Sequence, residues 1–277
     1  MKKSNPKNTQ QACSCPHDHN EPPIALKKQF GQHFLRDETV VDQMIDRAKI
    51  QHNSSVLEIG CGDGFLTHAI LEQSPQRLWI VEIDPEWATY VGNTYAHPAL
   101  TVFQQDILTF DFEQLTPHVP WLLLANLPYQ ITFPLLYKLQ QHRQLFAHII
   151  IMIQEEVAQK LLATSGRSYG IHSLFFQRYF SLESICRVAP SAFEPPPKVN
   201  SRVLSAQPRA TVPEIFREEQ FWKFVKSCFA QPRRTFLNNL LATPYASRAA
   251  LAKPWHHLRA QQMSFEDLMQ IWTLLQK

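Results

Sequence analysis

Blocks of apolar and polar residues alternate along the first three quarters of the chain in the way typical of strands that alternate with helices. Apolar runs predict five strands, at Ser55–Ile59, Leu78–Ile83, Leu100–Gln105, Trp121–Ala125 and His148–Ile153, and the fourth of them is expected to be buried. Stretches such as Phe65–Gln73 and Glu86–Tyr95 separate them as helices or loops, and a helix from Asp37 to Ala48 precedes the first strand. This alternation predicts an α/β fold, a largely parallel sheet with helices on both faces.

The pattern changes near the C-terminal end. Two further strands, around Leu182–Val188 and Val199–Gln207, flank a proline-rich turn at Phe193–Pro197, and we expect them to form an antiparallel edge pair. From Val212 onward apolar residues fall at helical spacing. We therefore predict three parts: a flexible polar tail over residues 1–25, an α/β domain over 26–208 and a small helical domain over 209–277.

Charge distinguishes the C-terminal part from the rest. The 277 residues carry a formal charge of +3, and 44% of them are hydrophobic, which is enough for a substantial core. Residues 190–277 contain 12 Lys and Arg against six Asp and Glu, so this part is net +6 and the remainder net −3. Such a basic lobe indicates a polyanionic partner, although structural surfaces with this excess are common.

The first residues indicate where the protein acts. Met1 is followed by polar residues without an apolar core, and no run approaches membrane-spanning length, so we expect a cytoplasmic protein that does not contact a membrane. Five cysteines fit reduced thiols, with Cys61 and Cys186 in or near the core. In the tail, Cys13, Cys15, His17 and His19 alternate more tightly than zinc ligands usually do, and we predict no metal site.

The turn Asn126-Leu127-Pro128-Tyr129 carries the first chemical signal. It ends a buried strand, and the carboxyl ends of strands in an open α/β sheet are where ligands bind. The Asn126 amide oxygen and a carbonyl of the turn can accept both N–H bonds of an adenine-type amine, while Tyr129 offers a stacking face. Methyl transfer to that nitrogen is the chemistry we infer.

A cofactor site is predicted by residues that precede this turn. The segment Glu58–Gly64 contains a Gly-x-Gly-x-Gly turn that begins at Gly60 and lies between a predicted strand and a predicted helix. Glu82, at the end of the second strand, suits ribose hydroxyls, and Asp106, after the third, suits an adenine amino group. Because Phe65 stands where a dinucleotide fingerprint has its third glycine, S-adenosylmethionine fits better than a nicotinamide cofactor.

Taken together, these residues resemble the motifs of the ribosomal RNA adenine N6-dimethyltransferases, and they occur along the chain in the same order as in that family. The resemblance runs from about Lys28 into the C-terminal domain. Besides the residues above, it rests on Gly31–Leu35, Ile153–Ala158, Phe193–Ser201 and Arg233–Leu240. It implies a Rossmann-like class I methyltransferase sheet with a small C-terminal helical domain, and S-adenosylmethionine as cofactor. The implied activity is dimethylation of two adjacent adenosines in the 3′-terminal hairpin of 16S rRNA, within the immature small ribosomal subunit.

The resemblance also implies roles for single residues. His33 and Leu35 would touch the cofactor near its methionine part, and Gly60 would lie against it. The ribose would be held by Glu82, the cofactor's adenine by Asp106, and the junction of cofactor and target by Asn126. The chain departs from the commoner pattern in three places: His33 often has Asn in its place, Pro232 interrupts the basic run, and the tail to Pro23 has no counterpart.

Two sets of residues are expected on the RNA side. Tyr129, together with Phe193, would sandwich the target base, with an ordinary core position as the alternative for Phe193. Four basic residues in or near the first C-terminal helices would contact phosphates, although a solvated helix face is the alternative: Lys223, Lys226, Arg233 and Arg234. We expect a monomer that does not act on DNA.

Other functions remain open at this point. A 23S rRNA methyltransferase of the antibiotic-resistance branch more often has Ile in place of Leu127, and the three prolines before Lys198 favour the small-subunit branch. A non-catalytic RNA-binding assembly factor is a further alternative, but it would not need the intact residues Gly60, Glu82, Asp106 and Asn126. Methyltransferases of DNA adenine or of a glutamine amide usually have Pro where Leu127 stands.

Overall fold

A seven-stranded sheet organises the larger part of the molecule in the computed structural model, which describes Ile24, Lys27 and residues 31–276. The strands are β2 (Ser55–Ile59), β3 (Arg77–Glu82), β4 (Leu100–Gln104), β5 (Trp121–Asn126), β6 (Phe146–Gln154), β7 (Phe180–Val188) and β9 (Ser201–Pro208). Their order across the sheet is β4-β3-β2-β5-β6-β9-β7. The first five are parallel, whereas β9 runs antiparallel to both neighbours. The predicted antiparallel edge pair is therefore confirmed.

A second, two-stranded sheet was not predicted. It joins β1 (Phe34–Leu35) to β8 (Phe193–Glu194) in antiparallel register, with Leu35 opposite Phe193. The proline-rich turn thus begins as a short strand that holds the segment before the first helix. The predicted Cys and His group of the tail, and most of residues 1–25, lie outside the described residues.

Helices cover both faces of the large sheet, as the alternation predicted. They are α1 (Glu38–Ala48), α2 (Phe65–Glu72), α3 (Pro85–Thr94), α4 (Thr132–Gln141), α5 (Glu155–Leu162) and α6 (Ile171–Tyr179). Successive residues of a strand point to opposite faces, so Leu123 joins the hydrophobic cluster under α4, α5 and α6, and Leu124 joins the one under α1 and α2. Burial on both faces explains why a central parallel strand such as β5 is almost entirely apolar, whereas the edge strand β4 is only partly buried.

The C-terminal residues form a helical unit around a third hydrophobic cluster. Its α-helices are α7 (Glu218–Cys228), α8 (Phe236–Leu240) and α9 (Phe265–Leu275), joined by 3-10 turns. The buried face of α7 consists of Phe221, Phe224, Val225 and Cys228, at the spacing predicted from the sequence. Tyr169, just before α6, and Leu174, within α6, complete this cluster and connect the helical unit to the sheet domain. None of the helices within residues 31–276 is long and apolar enough to cross a membrane.

Candidate active site

A cavity of about 340 Å³ lies at the carboxyl ends of the parallel strands. Six short segments line it: 31–35, 59–63, 65–66, 81–83, 105–107 and 126–131. Each of the last three follows or ends a parallel strand, so the topology brings together residues that are distant in the chain. All the residues predicted to bind the cofactor, and all four of the predicted catalytic turn, line this single cavity.

The glycine turn forms one wall of the cavity. Gly60 has φ +73° and Gly62 has φ +53°, both in the left-handed region that residues with a side chain rarely adopt. A Cβ atom at position 60 would meet only the Asn126 carbonyl oxygen, at 3.9 Å, so at this point the backbone itself is open to a ligand. At position 62 a Cβ atom would lie 2.6 Å from the Phe34 ring. The turn therefore needs glycine at both positions, for close approach at one and for packing at the other.

The Glu82 carboxylate faces this turn from the end of β3. One of its oxygens accepts a hydrogen bond from the Gly62 amide at 3.3 Å, and the other accepts from the Asp84 amide at 2.9 Å. Burial raises the pKa of Glu82, and the two amide hydrogen bonds act in the opposite direction. These bonds fix the carboxylate on the cavity wall, where a ligand with hydroxyl groups can donate to its remaining lone pairs.

A second carboxyl group, that of Glu58, lies beneath the turn and was not assigned a role from the sequence. It is completely buried, and one oxygen accepts from the Thr67 hydroxyl on α2 at 2.8 Å. The other oxygen has no hydrogen-bond partner among the described residues. Burial raises the pKa of Glu58 to about 8, so at neutral pH the group is largely protonated. Glu58 therefore ties the strand that precedes the turn to the helix that follows it.

Asp106 occupies the loop after β4, which is held in place by Lys138. Its carboxylate accepts from the Leu108 amide at 2.8 Å. The ammonium group of Lys138, on α4, donates to the carbonyls of Ile107 at 2.9 Å, Leu108 at 3.0 Å and Phe110. Desolvation lowers the pKa of Lys138, while the nearby Asp106 raises it. Sequence analysis missed Lys138, because nothing local to α4 indicates that its side chain caps a loop 30 residues earlier.

The Asn126 amide is oriented by the main chain of the segment opposite. Its nitrogen donates to the His33 carbonyl at 3.0 Å, which leaves the amide oxygen as an acceptor at the cavity. The Leu127 amide donates to the Met152 carbonyl at 3.1 Å, and the Leu127 side chain is buried. The turn is therefore anchored to β6 by its backbone, and Leu127 contributes main-chain atoms to the site, not its side chain.

Tyr129 is held by contacts from two distant segments. Its hydroxyl hydrogen-bonds with the Ser201 hydroxyl at 2.8 Å. Its ring lies 6.1 Å from the His33 ring, at an interplanar angle of 27°. The His33 Nδ1 is in turn 2.7 Å from the Pro195 carbonyl oxygen. Ser201 and Pro195 belong to the predicted Phe193–Ser201 motif, but their contacts with the site could not be read from the sequence.

Phe193 does not share this environment, and its place beside the target base stays a prediction. Its ring is only 5% exposed, belongs to the hydrophobic cluster under α1, and does not line the cavity. The cause is the pairing of β8 with β1, which turns Phe193 toward the core beside Leu35. The structure thus favours the alternative of a core aromatic.

The four basic residues predicted to contact phosphates are exposed, and none of them lines the cavity. Lys223 and Lys226 lie on the solvent side of α7, and Lys223 pairs with Glu219 at 2.6 Å. Arg233 and Arg234 occupy the turn between α7 and α8. Because an exposed pair one helical turn apart contributes little to stability, the Lys223 charge is available to an anionic partner.

Comparison with known proteins gives a consistent result. Residues 24–277 match the family model described as ribosomal RNA adenine dimethylase. A ribosomal RNA small subunit methyltransferase A of Chlorobium chlorochromatii is 34% identical over 254 residues, covering 91% of this chain and 94% of that protein. The protein of the same name from Syntrophotalea carbinolica is 40% identical over 219 residues, covering 77% and 81%.

Two solved structures share the fold. The dimethyladenosine transferase of Plasmodium falciparum superposes with a TM-score of 0.74 at 24% identity, over 86% of this chain and 96% of that one. The 23S rRNA methyltransferase ErmE superposes with a TM-score of 0.68 at 23% identity, over 88% of this chain and 100% of that one. The Rossmann-like methyltransferase fold expected from the sequence is thereby confirmed. With its family match over nearly the whole length, the chain belongs to the ribosomal RNA adenine dimethylase family.

Proposed function

We propose that the protein transfers methyl groups from S-adenosylmethionine to the N6 amines of two adjacent adenosines in the 3′-terminal hairpin of 16S rRNA, during biogenesis of the small ribosomal subunit. One observation carries this proposal: the Asn126 amide is fixed with its oxygen as an acceptor, beside Tyr129, in the same cavity as the glycine turn. The two sequence relatives compared above are both named for the small subunit, which supports 16S over 23S rRNA.

The residues present fit S-adenosylmethionine. The glycine turn leaves room for a ligand against Gly60, and Glu82 presents a fixed carboxylate to ribose hydroxyls. Asp106 would accept from the adenine amino group, and His33 and Leu35 would border the methionine part. When bound, this cofactor supplies a methyl group on a positively charged sulfur.

The residues of the Asn126 turn make the target nitrogen reactive. The lone pair of an adenine N6 is delocalised into the ring, so this amine is a poor nucleophile. Hydrogen bonds from the amine to the Asn126 oxygen and the Leu127 carbonyl would draw the nitrogen toward tetrahedral geometry and stabilise the charge that develops on it. The base must leave its stack to enter, at a cost of a few kcal/mol that stacking on Tyr129 offsets.

The C-terminal helical unit would hold the RNA by its phosphates. Residues 190–277 carry the net charge of +6, and Lys223, Lys226, Arg233 and Arg234 are exposed on this unit. Phosphate contacts position a nucleic acid without reading its sequence, so the choice of adenosine would be made at the cavity. We also propose that the protein acts in the cytoplasm as a monomer, which light scattering on the purified chain will check.

The activity is tested with unmethylated small-subunit particles and labelled S-adenosylmethionine, mapping dimethyladenosine by mass spectrometry. We expect label on two adjacent adenosines of the 3′ hairpin. Asn126→Ala should retain most of the cofactor affinity and lose most turnover, because the amide acts on the target nitrogen. Asn53→Ala, in the exposed turn before β2, is the matched control. Full activity of Asn126→Ala would remove the central assignment, and label on large-subunit RNA alone would favour the 23S branch.

The RNA surface is tested by the salt dependence of particle binding. Replacing Arg233 and Arg234 with Gln should reduce the slope of log K against log salt by roughly 1 to 2, since each phosphate contact contributes about 0.7 to 0.9. Lys49→Gln, at the end of α1, removes one exposed charge outside the basic lobe and serves as the control. An unchanged slope in the double variant would mean that these arginines are an ordinary solvated surface.

A further inference from the structure

The segment Gly31–Leu35, which we call the N-terminal strap, lines the cavity and lies against Asn126, Tyr129 and Gln130. Gly31 has φ +60°, and a Cβ atom there would lie 2.7 Å from the Gln130 side chain, so the strap is seated against the catalytic turn. Gln32 donates to the Asp84 carboxylate at 3.1 Å, which fixes the strap to the start of α3. His33 follows these two anchors in the chain and lines the cavity.

Three contacts of His33 converge on the target side of the cavity. Its carbonyl accepts from the Asn126 amide nitrogen at 3.0 Å, its ring centre lies 6.1 Å from that of Tyr129, and its Nδ1 is 2.7 Å from the Pro195 carbonyl oxygen. A carbonyl only accepts, so Nδ1 must carry the hydrogen of that bond. The bond to Pro195 therefore sets the plane of the imidazole ring against Tyr129.

We propose that His33 is a positioning residue for the target adenine, and that it does so by orienting Asn126 through its main chain and Tyr129 through its ring. This inference rests on the proposed function. It differs from the role that the family resemblance implies, in which the residue at this position touches the cofactor.

The ring geometry specifies which face of Tyr129 the base uses. An aromatic base placed between two rings needs a contact distance of about 3.5 to 4.0 Å on each side, or at least about 7 Å in total. The His33 and Tyr129 ring centres are 6.1 Å apart, which is too close for a third ring. The adenine therefore stacks on the face of Tyr129 opposite His33, and the imidazole supports the tyrosine from behind.

Two substitutions separate the contacts of His33. His33→Asn retains an N–H donor for the Pro195 carbonyl but removes the ring behind Tyr129. His33→Phe retains a ring and removes the donor. His52→Asn is the matched control, because the His52 Nδ1 makes the same kind of bond, to the Ser74 carbonyl at 3.2 Å, in an exposed turn outside the cavity. Calorimetry gives the affinity for S-adenosylmethionine, and steady-state methylation of small-subunit particles gives kcat and KM.

We expect both His33 variants to bind S-adenosylmethionine within about threefold of wild type, and kcat to fall about tenfold in His33→Asn and less in His33→Phe. In a Tyr129→Leu background, His33→Asn should cost less than about a further twofold, since the ring it supports is gone. Cofactor affinity that falls as much as kcat would make His33 only a cofactor contact. If the kcat losses of His33→Asn and Tyr129→Leu multiply in the double variant, the two residues act independently, and this result would also overturn the proposal. Inactive wild type would instead refute the proposed function.

Discussion

Gly62 allows a quantitative test of how the N-terminal strap packs on the glycine turn. Alanine at this position must adopt φ +53°, which costs an L residue roughly 1–2 kcal/mol. Its Cβ atom would also lie 2.6 and 2.8 Å from two carbons of the Phe34 ring. Phe34 is 7% exposed and packs edge-on against Trp87 at 5.0 Å, so its ring has little room to move. Overpacking of this kind costs about 1–3 kcal/mol more.

We therefore expect Gly62→Ala to lower the free energy of unfolding by about 2–5 kcal/mol, measured by urea denaturation followed by tryptophan fluorescence. Gly166→Ala is the matched control: Gly166 has φ +78°, but a Cβ atom there would have no neighbour within 4 Å among the described residues. That variant should lose only the backbone part, roughly 1–2 kcal/mol. Equal losses in the two variants would refute the argument, because they would show that Phe34 is not seated on Gly62.

Three further predictions concern buried or fixed charges around the cavity. Burial raises the folded-state pKa of Glu58 from 4.5 to about 8, so the wild type loses stability as pH rises through that window. The free energy of unfolding of Glu58→Gln, measured by urea denaturation, should therefore rise relative to that of the wild type by about 1.4 kcal/mol per pH unit between pH 5 and 8. A difference that does not change with pH would contradict the buried protonated state. Lys138→Met should leave three loop carbonyls without their donor and weaken cofactor binding through the loop of Asp106, as calorimetry will show. Glu82→Ala should also weaken S-adenosylmethionine binding, and unchanged affinity would reject its ribose role.

The strands of the sheet could be predicted because each was a local property of the sequence. Buried parallel strands must be apolar on both faces, so Ser55–Ile59 and Trp121–Asn126 stood out as short apolar runs. The order of the strands was not predictable in the same way. It places β2 between β3 and β5, and β9 between β6 and β7, and no periodicity within a strand specifies its neighbour.

The cavity illustrates the same limit. Glu82, Asp106 and Asn126 were predicted to meet because each ends or follows a strand, and the carboxyl ends of parallel strands share one edge. Their chemical roles remain predictions. Lys138 was missed because it acts on the carbonyls of residues 107, 108 and 110, which carry no side-chain signature. A basic residue on an amphipathic helix is usually solvated, and only the fold shows that this one donates to three carbonyls.

The burial of Phe193 has a physical reason that also bears on the proposed pocket for the target base. A phenylalanine before a proline-rich turn near a predicted site is as compatible with stacking as with the core, and the choice depends on which segment the turn pairs with. Here it pairs with the strap, in the register Leu35 to Phe193, so the aromatic side chain turns inward and the Pro195 carbonyl turns toward His33. The same pairing that buries Phe193 therefore also places the His33 ring beside Tyr129, the other residue predicted to stack on the base. The proposed pocket for the target base thus involves a contact across 162 residues, which is why it can be tested at His33 but could not be predicted from the motifs alone.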